Sequence, residues 1–109
     1  MAFDNELAAR IREHLEGQTG LTEMKMFGGL AFLIHGNICC GVYGAEMLVR
    51  VDPAQMDEIL RLPNTRMFDL SPRPMKGWIL VRGEALASRA GLSEWLEVGL
   101  AYAAGLPPK

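Results

Sequence analysis

Residues 4–16 place Leu7, Ile11, His14 and Leu15 on one face at helical spacing, with Asp4 positioned as an N-cap and Glu6 one turn before Arg10. Gly17 and Gly20 break this pattern. From Met24 to Asp52 the apolar period becomes two, the signature of strands. Within that segment Gly36-Asn37 reads as a two-residue type II′ hairpin turn. Such a turn pairs His35 with Ile38, Leu33 with Cys40 and Ala31 with Val42; on the other face it sets Ile34 against Cys39, Phe32 against Gly41 and Leu30 against Tyr43. A second turn at Gly44, Ala45 and Glu46 leads into a strand over residues 47–51.

This register assigns two faces. Leu30, Phe32, Ile34, Tyr43, Met47, Val49 and Val51 form an apolar face that carries the core. The other face holds Ala31, Leu33, His35, Ile38, Cys40, Val42, Leu48 and Arg50. Its mixed character marks Leu33, Ile38, Cys40, Val42, Leu48 and Arg50 as candidates for contact with a protein partner or a second copy of the chain.

Asp52 as cap, Pro53 at the first helical position and Gln55 at the capping-box position open a second helix, with Met56, Ile59 and Leu60 as its buried stripe. Three prolines, Pro63, Pro72 and Pro74, make the next stretch a stiff connector with room for a short edge strand at 66–70. Residues 75–82 read as a further strand. Leu92, Trp95, Leu96, Gly99, Leu100, Ala103 and Leu106 recur at spacings of three and four, an amphipathic helix stopped by Pro107 and Pro108. The predicted order is α-β-β-β-α-β-β-α. It corresponds to an α+β domain with an antiparallel sheet of about five strands and helices packed on one side.

The chain has 109 residues, which fits a single domain over 1–109, and half of them are hydrophobic. A net charge of −2 disfavours nucleic-acid binding by the chain unaided. The N-terminus lacks a signal pattern and no apolar run approaches the length of a membrane span, so the expected location is cytoplasmic, away from the membrane. Two adjacent cysteines form no disulfide framework.

Chemistry has few footholds. Gly28-Gly29 resembles part of a phosphate loop, but the strand-like LAFLIHG follows where a helix is required, so a bulge or bend in one long strand is expected there. Strand alternation sends Cys39 and Cys40 to opposite faces, leaving Cys40 diagonal to His35 with Arg50 nearby. This is the alternative reading: a small-molecule or anion-binding protein, or a minor cysteine enzyme, using Cys40, His35 and Arg50. The spacing provides no metal site, and no cofactor is expected. Lys25, Arg66, Arg73 and Lys76 form a second candidate set, a basic patch for an anion or an acidic partner.

Four segments carry a family resemblance: Lys25-Met26-Phe27-Gly28-Gly29-Leu30-Ala31-Phe32, then Cys40-Gly41-Val42 and Leu48-Val49-Arg50-Val51, then Arg73, Pro74, Met75, Lys76 and Gly77. With the Trp95 helix ending at Leu106, they make the chain similar to the N-terminal domain of the TfoX/Sxy family, in its short stand-alone form. The resemblance implies an α+β fold in a bacterial cytoplasmic protein related to regulators of natural competence. Two-domain members act at promoters with a cyclic-AMP-responsive activator and carry a second, helical domain. The resemblance supplies no catalytic residues. Together with the mixed sheet face, it leads to the expectation of a non-enzymatic regulatory domain that works through a protein partner or as a homo-oligomer such as a dimer.

Overall fold

A computed structural model describes residues 4–26, 28–68 and 76–107. Helix α1 spans Asn5–His14, and the Asp4 carboxylate caps it by accepting from the amides of Glu6 and Leu7 at 2.9 and 3.2 Å. Four strands follow: β1 Leu21–Met26, β2 Gly29–Ile34, β3 Asn37–Tyr43 and β4 Glu46–Arg50. A 3-10 turn at Pro53–Gln55, capped by Asp52, runs into the short helix α2, Met56–Ile59. The remaining elements are β5 Thr65–Met67, β6 Trp78–Val81, α3 Gly83–Leu86 and α4 Arg89–Ala104, the last capped by Ser88.

All strand pairs are antiparallel, in the spatial order β1-β2-β3-β4-β6-β5. The fold class is the expected one, with a sixth strand. The extra strand arises at the glycine pair: Gly28 takes φ 75°, and Met26 pairs with Gly29, so β1 and β2 form a hairpin where one bent strand was expected. Left-handed backbone of this kind is cheap for glycine and costly for other residues. Among the described residues the proline-flanked stretch supplies the three-residue edge strand β5 where an edge strand over 66–70 is expected; positions 69 and 70 of that strand, and 75 of the next one, lie outside the described residues.

Two further differences lie in the β2–β3 hairpin. The turn sits at His35-Gly36, with φ 50° and 85°, one residue earlier than expected. Consecutive positive φ values are the type I′ pattern, whose twist suits flanking strands. Asn37 thereby enters the strand, where it is buried and its Nδ2 donates to the Pro107 carbonyl at 2.9 Å. The register then shifts: Leu33 pairs with Ile38, but Phe32 pairs with Cys40, leaving Cys39 as the extra residue of a β-bulge.

The bulge decides which side chains face the helices. Cross-strand partners share a face. One row runs Glu23, Phe32, Cys40, Val49, Ile79 and Met67; the next runs Lys25, Leu30, Val42, Met47, Val81 and Thr65. The buried members of these rows join Leu7, Ala8 and Ile11 of α1, Met56 of α2, Leu86 of α3, and Leu92, Leu96 and Ala103 of α4 in one core. The helices therefore lie on a single side of the sheet. Cys40 and Val42, expected on the mixed face, are in this core, and Tyr43, expected in the core, is on the opposite face. There Leu48, Leu80 and Phe68 make a smaller cluster flanked by Tyr43 and Trp78, with the Tyr43 and Phe68 rings edge to face at 6.1 Å.

Candidate functional site

Both thiols are free and sealed inside. Cys39 and Cys40 are fully buried, and their Sγ atoms are 3.7 Å apart, because the bulge turns both side chains into the core. Alternation does not separate them. Contact with Cys39 and complete burial push the Cys40 thiol well above its ordinary range. A buried, protonated thiol is a poor nucleophile. His35 is exposed in the turn, and its ring lies over Gly20, where an added Cβ would strike it. Arg50 is held between two rings, 5.0 Å from Trp78 and 5.5 Å from Tyr102. Cys40, His35 and Arg50 are thus not gathered into one constellation. Iodoacetamide at neutral pH is expected to label both thiols at least ~100-fold more slowly in the folded chain than in urea. Prompt labelling of either thiol in the native state would mean that the bulge does not seal them.

The basic candidates are also dispersed. Lys25 lies on β1 and Arg66 on β5, at opposite edges of the sheet. Five strand spacings separate these edges, about 24 Å at 4.8 Å each. Arg66 forms a bidentate pair with Glu46, Nε to Oε2 at 3.1 Å and Nη2 to Oε1 at 2.7 Å, so its charge is matched within the chain. Lys76 is exposed in the turn before β6, and Arg73 lies outside the described residues. Among the described residues no group of three His, Cys, Asp or Glu side chains is arranged to hold a metal ion, and no helix is long and apolar enough to cross a membrane.

Of the six contact candidates, Leu33, Ile38 and Leu48 are on the outer face as expected. Leu33 and Leu48 are nevertheless buried, at 7% and 6% exposure, and Ile38 is half-buried. Arg50 is engaged with the two rings, and Cys40 and Val42 belong to the core. The large apolar side chains most open to solvent lie elsewhere. Met24 on β1 is 50% exposed, Leu62 after α2 is 49% exposed, and Val98 on α4 is 37% exposed. Leu62 and Val98 line a shallow groove with Gln55, Glu58 and Ile59. The alternating Thr22, Glu23, Met24 and Lys25, bracketed by Gly20 and Gly28, is the signal that marks an exposed strand here.

Beside Met24 the edge strand carries an ordered charge pair. Arg12 of α1 grips the Glu23 carboxylate with Nε and Nη2 at 2.7 and 2.8 Å. This guanidinium contact holds the Glu23 carboxyl below the usual range and keeps it ionised. The comparison with protein families matches the TfoX N-terminal domain over residues 13–103, from the last turn of α1 through all six strands and most of α4. No curated protein and no solved structure matches the chain.

Proposed function

The chain belongs to the TfoX N-terminal domain family, and from that premise we propose that it is a non-enzymatic regulatory domain of the competence-regulator type, acting in the cytoplasm through protein contacts with the transcription machinery. The observation that carries this reading is the extent of the family match, which takes in the whole sheet and the helix packed on it. The placement of the reactive groups supports it. The thiols are spent on core packing, Arg50 is stacked between rings, and Arg66 is neutralised by Glu46. A net charge of −2 supports recruitment by a DNA-bound protein over direct capture of DNA, since phosphate contacts need a cationic surplus.

A gel-shift at low salt tests this. The probe is a promoter fragment bearing the site of a cyclic-AMP-responsive activator. The chain alone is expected to leave the fragment unshifted and to retard the activator–DNA complex further. A shift of bare DNA regardless of sequence, or no change in the activator complex, would overturn the proposal.

A further inference from the structure

We infer that the outer edge of β1 is a self-recognition strand, on which a second copy of the chain pairs antiparallel about Met24 to join the two sheets into one. This deepens the interaction-domain reading above by naming a partner and the surface it uses.

The inference starts from the ladder. β1 ends the sheet, and among the described residues no strand pairs with its outer side. The His35 amide donates to the Gly20 carbonyl at 3.0 Å, continuing the β1–β2 ladder one step beyond Leu21. In an antiparallel pair, alternate residues turn their backbone groups toward the partner. Counting from Gly20, residues Thr22, Met24 and Met26 address β2, so Leu21, Glu23 and Lys25 present N–H and C=O groups outward. Such an open row is a template for another strand unless something blocks it. No proline lies in β1, and its side chains from Thr22 to Lys25 are exposed.

The side chains then select one register. A two-fold antiparallel pairing sets residues of constant summed number opposite one another, and only outward-facing residues form hydrogen-bonded pairs. Centring on Glu23 opposes two glutamates, and centring on Lys25 opposes two lysines. Centring on Thr22 pairs Leu21 with Glu23. Centring on Met24 sets Glu23 opposite the second copy's Lys25, twice by symmetry, with two backbone hydrogen bonds for each of these pairs. It also brings the two Met24 side chains together on the outer face, covering the most exposed large apolar residue described. Glu23 and Lys25 both belong to helix-side rows. Arg12 already holds the Glu23 carboxylate and matches part of its charge, so the incoming ammonium, at little cost in side-chain freedom, selects the register more than it adds strength.

Sedimentation across a concentration series reads this directly. The wild-type chain is expected to pass from monomer to dimer as concentration rises, with a weaker dimer at high salt. Lys25→Glu, which turns both cross-strand pairs repulsive, should raise the dissociation constant about tenfold or more. Lys25→Pro removes an outward N–H without touching the ladder to β2 and should abolish the dimer. An equimolar mixture of Lys25→Glu and Glu23→Lys chains restores opposite charges at both positions. It should form a heterodimer, seen by native mass spectrometry, where each variant alone is monomeric. Circular dichroism checks that the variants fold. A wild-type chain that stays monomeric throughout, or a dimer indifferent to these substitutions, would overturn the inference while leaving the activator gel-shift unaffected.

Discussion

Val42→Asp is expected to destabilise the chain by about 4 kcal/mol or more, a large share of what a domain of this size has to lose. Val42 is 2% exposed and stands between Leu30 and Met47 in a row that faces the helices. A carboxylate at that point gives up its hydration and lands among aliphatic side chains, so it takes up a proton in preference to remaining charged. Its pKa in the folded chain therefore rises above the unfolded value of about 3.9. The folded state then binds the proton more tightly than the unfolded state does. The variant is least impaired below the unfolded pKa and loses further stability as pH rises through the folded-state value. Urea unfolding at about pH 5 and about pH 8 should show a deficit that grows with pH relative to wild type. A deficit under about 1 kcal/mol with no pH dependence would mean that Val42 does not stand in the helix-side core.

That experiment probes the point where pattern and structure diverge. The starts at Asp4 and at Asp52 with Pro53 were legible because each has a local chemical cause, a side-chain oxygen that meets free amides. The short helix α3 was not, because Arg82 at its N-cap position makes no side-chain cap bond. The faces of β2 and β4 were legible too. Leu30, Phe32 and Ile34, then Met47, Val49 and Val51, all enter the expected core. The first half of β3 was legible by a narrower route. Moving the turn back to His35-Gly36 shifts the pairing of Leu33 by two residues, from Cys40 to Ile38, and an even shift leaves faces unchanged. The bulge at Cys39 then adds the odd step that flips Cys40, Val42 and Tyr43. Nothing in Ile38-Cys39-Cys40-Gly41-Val42 contrasts apolar with polar, so either parity satisfies the pattern. The Cys40–His35 pairing rested on that parity and disappears with it. Lys25 and Arg66 are kept apart for a different reason. Position along the chain carries no information about strand order, and β2, β3, β4 and β6 all stand between Lys25 on β1 and Arg66 on β5.

The same bulge dictates the residue that α4 carries where it crosses the sheet, and Gly99→Ala should reveal it. Gly99 shares the buried stripe of Leu92, Leu96 and Ala103. A Cβ at Gly99 would run into the Cys39 carbonyl oxygen and lie 3.2 Å from the Cys39 carbonyl carbon and 3.5 Å from Val49 Cγ1. In an isolated helix, alanine is favoured over glycine by about 1 kcal/mol. Here the obstructing atoms are backbone on both sides, so no rotamer relieves the overlap and α4 must lift away from β3. That movement loosens the packing of Leu96 and Ala103, and overpacking of this kind costs about 1–3 kcal/mol, occasionally more. The overlap therefore exceeds the gain in propensity, and a net loss of about 2 kcal/mol is expected, read as a lower urea midpoint with an unchanged slope. Gly105→Ala supplies the comparison. Its added methyl would meet only ordinary contacts at 3.5 and 3.6 Å, at a backbone φ of −81° open to any residue, so it should shift stability by under about 0.5 kcal/mol. A Gly99→Ala chain more stable than wild type would mean that helix propensity governs this position. In that case α4 does not rest on the bulge, and the burial of Cys39 beneath it needs another cause.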